Sequence, residues 1–408
     1  MPDHADLIVL GGGPAGAVSA WLAAREGLDV VLVDPRRPRP RLEGLSPRLH
    51  RWLAGQGLLA GFDGTLGPLR RQVDWAGVSH GNGEYVVMRD RLDAHLRQAA
   101  VRAGARLIED SARPEAEAGG AVLASGGRLF AARVIDARGR GGVSPAGRAP
   151  ATLALSGWLK ADLPPGIRLT AFAGGWLWRV ALPDGRVWVQ AMLDAAGAGR
   201  PAERLRAAVA MAEPALAEAR PAGEVLAREA APRLPEPVAD LAVLRVGDAF
   251  AAMDPLSGHG QFWAISSALA VAAVRRTLAA RPGSEEICRD FLNQRAREVS
   301  LHQARIGRDF IRLEGRFRDA PFWVARRDFP DDAPAGQVLT APEIRAGIVV
   351  ENGMLARREV LHTPRSPMGI GWFGTIPAPD AWRLWQARRL EGGREGALAR
   401  QIRAELTP

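Results

Sequence analysis

Apolar and polar positions over the first 35 residues fall into three blocks. Asp6–Leu10 is a short apolar run, and Gly11–Gly16 interrupts it. Small residues then continue to about Glu26, and Asp29–Asp34 turns apolar again. Two short apolar runs flanking a helical stretch predict a parallel strand–helix–strand unit with a right-handed crossover. Pro35–Pro40 is too rich in Pro and Arg to extend it, and Pro47–Leu59 reads as a short helix. Val73–Val87 is strand-like, and Arg91–Gly104 places Leu92, Leu96 and Ala99 on one helical face. Val134–Asp136 is a short strand that runs into Gly139, Gly141 and Gly142.

Between Ala151 and Leu193 the pattern predicts an antiparallel sheet, with strands Leu153–Leu159, Trp176–Leu182 and Val187–Met192. Asp184-Gly185 is a hairpin signal between the last two. A helix around Ala202–Ala212 follows, and the buried-type strand Leu241–Val246 leads through a glycine-rich turn into a long apolar helix, Gln261–Leu278. Pro330–Gly336 reads as a linker. The last ~70 residues read as a strand near Arg358–Leu361 and two late helices, a small helical, winged-helix-like unit. The order predicts an α/β fold, α+β overall. A single discontinuous Rossmann-like domain takes residues 1–72, 88–150 and 236–300. A β-sheet domain takes 73–87 and 151–235. A helical connection and small C-terminal domain take 301–408.

Length and composition narrow the class. The chain has 408 residues, 47% hydrophobic and 24% charged, which fits two or three folded domains and excludes disorder. No run of about 18 apolar residues predicts a membrane span, and the start lacks the zones of a signal peptide. The single cysteine, Cys288, excludes an intramolecular disulfide; no Cys/His spacing predicts a metal site, so a reducing cytoplasm is the expected location. The net charge of +9 is almost all arginine, since Lys160 is the only lysine. Residues 295–327 hold nine arginines and four acids, either a solvated helix face or a surface for an acidic protein. No recognised motif accompanies the charge, so nucleic acid is not an expected partner.

Candidate chemistry begins at Gly11-Gly12-Gly13-Pro14-Ala15-Gly16, a G-x-G-x-x-G between strand and helix. Gly11 permits the tight turn, Gly13 the approach of a pyrophosphate, and Gly16 close helix–strand packing. Asp34, about 20 residues on, is placed to accept from ribose hydroxyls. A second glycine-rich helix start spans Gly247-Asp248 and Asp254–Gly260. It offers a carboxylate for a sugar alcohol and free amides for negative charge. His259 is a candidate proton donor, or else a loop histidine capping the helix. Trp176 and Trp178 share one strand face, as a wall for an aromatic substrate or as sheet core.

Taken together, Gly11–Gly16, Asp34, Ile135-Asp136-Ala137-Arg138-Gly139 and Gly247-Asp248 resemble the flavoprotein superfamily of para-hydroxybenzoate hydroxylase, geranylgeranyl reductases and flavin-dependent halogenases. Arg138 departs from the small or acidic residue usual there. The resemblance implies FAD as cofactor, with Asp248 on the ribityl chain and Pro255, Gly258 and Gly260 against the ring. It also implies Arg41 and Arg89 beside the flavin. Gly175–Val180 is similar to the halogenase pattern W-x-W-x-I-P, and Arg318–Trp323 to another segment of that branch. Residues 71–90 lack the lysine that halogenases use, and Lys160 reads as a solvated edge residue. The chain therefore looks most like the flavoproteins that mature tryptophylquinone cofactors, such as that of quinohemoprotein amine dehydrogenase.

That resemblance implies a monooxygenase acting through a flavin C4a-hydroperoxide on a peptide-bound tryptophan. O₂ is the co-substrate, and electrons come from NAD(P)H or a partner flavin reductase, because no second complete G-x-G-x-x-G is present. Other readings are a halogenase-like enzyme or hydroxylase on a small aromatic metabolite, a geranylgeranyl-reductase-like double-bond reductase, and a non-enzymatic FAD-binding chaperone.

Overall fold

The computed structural model describes residues 3–37, 40–115, 119–142, 147–336, 339–390 and 393–406. The chain forms two compact units, Met1–Val271 with Gln303–Asp332, and Ala272–His302 with Ala333–Pro408.

The first unit contains two sheets. In one, the strand Asp3–Leu10 pairs in parallel with Val30–Val33 on one side and Arg128–Asp136 on the other. Leu7, Ile8 and Val9 have no exposed surface, as expected of a strand covered on both faces. Arg106–Ile108 extends this sheet beyond Val30–Val33, and Val243–Arg245 pairs in parallel with Arg128–Asp136. Leu10 and Asp136 are register partners, so the two strands end together, at the edge where α/β sheets bind ligands.

The other sheet has nine strands. From one edge the order is Leu42–Leu45, Val78–Met88, Thr65–Trp75, Gly166–Phe172, Gly175–Ala181, Arg186–Asp194 and Thr152–Lys160, and Leu226–Glu229 pairs with the last of these. Alternation gives it two different faces. Leu177, Val187, Val189 and Ala191 pack against Leu205, Ala208 and Val209 of the helix Pro201–Ala212. The opposite face gathers Leu169, Trp176, Trp178, Trp188 and Met192 with Trp75, Phe322 and Trp323. Trp323 donates from Nε1 to the Phe172 carbonyl (2.9 Å), and Trp75 to that of Phe310 (2.7 Å).

Leu42–Leu45, Arg106–Ile108 and Leu226–Glu229 are strands the pattern did not predict, and two further differences fall in the middle of the large sheet. The region read as strand-like from Val73 to Val87 is a hairpin that begins at Thr65. Gly166–Phe172 is an additional strand. Arg70, Arg71 and Gln72 interrupt the apolar alternation of the first, and Pro164, Pro165 and Gly166 obscure the start of the second.

The helix Gly260–Ala280 is long and apolar enough to cross a membrane by length and composition. However, 61% of its most apolar window is buried, which is the behaviour of a core helix. In the arginine-rich segment, Arg305 and Arg308 bond Asp331, Arg312 bonds Asp328 and Asp332, and Arg316 bonds Glu314. Much of that charge is neutralised within the unit.

The second unit corrects the winged-helix-like expectation. It is led by the hairpin Glu343–Glu351/Met354–His362, followed by the helices Ala378–Gln386 and Gly393–Leu406 around Leu361, Phe373, Ala381 and Ile402. Leu355 N donates to Thr277 Oγ1 (2.8 Å) and Arg281 Nη1 to the Leu355 carbonyl (2.9 Å), so residues 272–302 belong with the hairpin. The division expected at residue 301 falls inside the helix Glu285–Leu313, as does the unit boundary between His302 and Gln303.

Candidate active site

The first glycine-rich turn is fixed by backbone sterics. Gly11 has φ +99°, and a Cβ there would lie 2.5 Å from the Ala137 carbonyl oxygen. A Cβ on Gly16 would overlap the Gly11 carbonyl oxygen. Gly13 caps the helix Pro14–Arg25, and an added Cβ would meet nothing closer than Arg89 Nη2 at 4.0 Å, which leaves the room a phosphate needs. Asp34 also braces the turn: Gly12 N donates to its Oδ2 (2.6 Å) and Arg36 N to its Oδ1 (2.8 Å).

The second turn packs on the first. Gly247 is left-handed (φ +58°), and a Cβ on it would stand 3.0 Å from the Ala15 methyl. Its N–H donates to Ser267 Oγ (2.8 Å), and its carbonyl accepts from Trp263 Nε1 (3.1 Å). Asp248 is half-exposed, with Arg140 Nε 3.4 Å from its Oδ2.

One cavity of about 640 Å³ takes in both turns and the aromatic sheet face. Of the expected site residues, Gly11, Gly13, Pro14, Ala15, Asp34 and Arg41 line it. So do Arg89, Gly247, Asp248, Pro255, Gly258 and Gly260, with Trp176 and Trp178 at the sheet face. Gly16 stands behind the turn, with the packing role expected of it. The donor set fits FAD: a glycine cradle at a helix start without acids in its first turn, a carboxylate after the second strand, and a second carboxylate beside the second cradle.

His259 requires a correction. It is exposed and does not line the cavity; its Nδ1 lies 2.5 Å from the Ser257 carbonyl oxygen. The left-handed Gly258 before it (φ +67°) lets the chain turn there, which leaves the ring outside. Arg89 reaches the cavity but is already engaged. It bonds Asp93 through Nε (3.0 Å) and Nη2 (3.1 Å), and Glu43 Oε2 through Nη1 (2.8 Å). Arg138 lies bidentate on Asp136 (2.9 and 2.8 Å).

Glu43 was not legible in the sequence. Arg41 Nε donates to its Oε1 (2.5 Å), Arg89 Nη1 and Gln261 Nε2 donate to its Oε2, and Arg228 Nη1 stands 3.7 Å from Oε1. Burial pushes the Glu43 carboxyl up, but Arg89, Arg41 and Arg228 together hold it well below the usual carboxylate range. Leu42–Leu45 and Leu226–Glu229 lie at opposite edges of the large sheet. Seven strand spacings in a flat sheet would separate them by roughly 34 Å. The Glu43–Arg228 approach therefore requires the sheet to curl until its edges face each other. A second unpredicted carboxyl, Asp254, accepts from Leu256 N (2.8 Å) and is pushed up to about 6 by burial, against the opposing pull of that hydrogen bond, Arg326 and Arg140.

The family model of the NAD(P)-binding Rossmann-like domain matches residues 9–43. The solved structure of QhpG, a peptidyl tryptophan dihydroxylase essential for tryptophylquinone cofactor biogenesis, is 32% identical. It aligns with a TM-score of 0.80 over 99% of this chain and 100% of that one. A tryptophan 2-halogenase of Chondromyces crocatus is 24% identical over 378 residues, 80% of this chain and 71% of its own length. A menaquinone reductase of Mycobacterium tuberculosis is 37% identical over 125 residues, 26% of this chain; the chain spans only 29% of that relative's length. This chain is a flavoprotein oxidoreductase that belongs to the FAD-dependent monooxygenase and halogenase superfamily, in the family of the peptidyl tryptophan dihydroxylase.

Proposed function

We propose that the protein is an FAD-dependent monooxygenase that hydroxylates the indole ring of a polypeptide-borne tryptophan, as a step in forming a tryptophylquinone cofactor. One observation carries this reading: a single cavity joins the dinucleotide cradle to the platform of Leu169, Trp176 and Trp178. The whole-length similarity to a peptidyl tryptophan dihydroxylase supports it.

FAD bound here in its reduced form would supply the O₂ activation that ring hydroxylation needs. Its electrons come from NAD(P)H or a partner flavin reductase. The protein's own part is positional. Gly11, Gly13 and Asp34, which line one end of the cavity, would hold the adenosine and phosphate end, and Asp248, Pro255 and Gly258 the flavin end. The positive end of the helix Gly260–Ala280 favours negative charge at the cavity edge, where Gly260 and Gln261 lie. Trp176 and Trp178 present an apolar wall that orients an indole and excludes water. The cavity lining contains no lysine, which disfavours halogenation; Lys160 lies exposed at a strand end.

The test is aerobic incubation of the reduced holoenzyme with a tryptophan-bearing polypeptide, followed by mass spectrometry. Gain of one or two oxygen atoms on tryptophan is the expected result. An unmodified polypeptide alongside rapid flavin reoxidation refutes the reading.

A further inference from the structure

The cavity face of the large sheet has a polar–apolar–polar order that its registers define. Arg71 pairs with Ile167, Leu169 with Trp178, and Trp178 with Gln190; farther along the same face, Met192 pairs with Ala154, and Ala154 with Arg228. Register partners share a face. The apolar middle, Leu169, Trp176 and Trp178, is therefore flanked by Arg71 and Glu84 on one side and by Gln190 and Arg228 on the other, and all of these line the cavity. Three spacings of about 4.8 Å place the strands of Arg71 and Gln190 roughly 14 Å apart.

The flanking groups are incompletely satisfied. Arg71 Nε and Glu84 Oε2 are 3.4 Å apart without a directed hydrogen bond, and both are buried without a hydrogen-bond partner. Arg228 Nε is likewise buried and unpartnered, while its Nη2 donates to Gln190 Oε1 (3.2 Å). Native proteins leave few buried polar atoms unpaired, and those left in a cavity are natural partners for a ligand. Arg71 faces Glu84, and Arg228 stands beside Glu43, a carboxylate that Arg41 and Arg89 also share. A rim with donors at Arg71, Gln190 and Arg228 and an acceptor at Glu84 matches the paired donor and acceptor of an amide.

We propose that Arg71, Glu84, Gln190 and Arg228 recognise the main-chain amides flanking the α-carbon of a tryptophan whose indole lies on Leu169, Trp176 and Trp178. Arg71, Arg228 and Gln190 donate to carbonyl oxygens, and Glu84 accepts from an amide N–H. This rests on the proposed reading of the aromatic end, and it makes peptide linkage, rather than the indole alone, the recognised feature.

The test is titration of the oxidised holoenzyme, followed by the flavin absorbance, with 3-methylindole, N-acetyltryptophanamide and free tryptophan. N-acetyltryptophanamide is expected to bind about tenfold or more tightly than 3-methylindole. Arg71→Met, Glu84→Gln and Arg228→Met should each remove most of that advantage. Unchanged 3-methylindole affinity and flavin spectrum in a variant show that it is folded. Equal binding of the amide and 3-methylindole by the wild type overturns the inference, as does a preference that survives all three substitutions. Tighter binding of the free amino acid assigns the frame to a zwitterion and overturns peptide recognition. Oxygenation of a polypeptide without amide preference sinks this inference alone; amide preference without oxygenation sinks only the proposed reaction.

Discussion

Glu43→Gln tests the claim that one carboxylate ties the curled sheet to the rest of the first unit. The substitution keeps the shape but removes the charge that Arg41, Arg89 and Arg228 share. Three hydrogen bonds to a carboxylate, from Arg41, Arg89 and Gln261, pass to a neutral amide oxygen or are lost, and the new amide N–H₂ must face at least one donor. Hydrogen bonds to charged groups contribute about 1.5–3 kcal/mol and neutral ones about 0.5–1.5, so the difference is roughly 1 kcal/mol per bond. Arg89 keeps Asp93, which limits the damage. The expected loss is about 3 kcal/mol at pH 7, a large share of ordinary domain stability. With a urea m-value near ~3 kcal/mol/M, the flavin-release transition should move down by about 1 M. The Glu43 carboxyl is lowered in the folded state, so its contribution is full above the unfolded carboxyl value and fades as pH falls through the folded one. The gap between wild type and variant should therefore close in acid. Superimposable urea curves at pH 7 would refute the reasoning.

Gly16→Ala should lower FAD affinity at least about a hundredfold, equivalent to ~2.8 kcal/mol, because the methyl meets backbone that cannot yield; flavin content after purification measures it. His259→Ala should leave stability within about 0.5 kcal/mol and hydroxylation unchanged, since the ring lies outside the cavity; a tenfold rate loss would return it to the chemistry. Asp254 is raised to about 6 in the folded protein, so it opposes folding as pH climbs from its unfolded value through 6, by roughly 2–3 kcal/mol. Asp254→Asn should flatten that fall in a stability–pH series, and an identical slope in both proteins would remove Asp254 as its source.

The dinucleotide half was readable because its signals are local. Gly11–Gly16 and Gly247-Asp248 sit within a few residues of the strands and helices they join, and backbone sterics alone explain them. Trp176 and Trp178 were readable by alternation. Glu43 and Arg228 were not, because 185 positions separate them and only the curl of a nine-stranded sheet brings them together. Period two assigns a residue to a face but not to an edge partner. His259 misled for the opposite reason: a titratable residue between two glycines resembles a site in one dimension, whereas its orientation depends on a left-handed turn.

The parallel pairing of Thr65–Trp75 with Gly166–Phe172 has a consequence for biosynthesis. The hairpin ending at Met88 emerges from the ribosome 78 residues before Gly166, the first residue of its neighbouring strand. At about 5–20 residues per second, its free margin waits roughly 4–16 s. Arg70 and Arg71 lie along that margin beside the polar Gln72, and charge of this kind keeps an unpaired strand from recruiting other nascent chains. The same residues that blur the strand signal thus protect the chain until its neighbour has been translated.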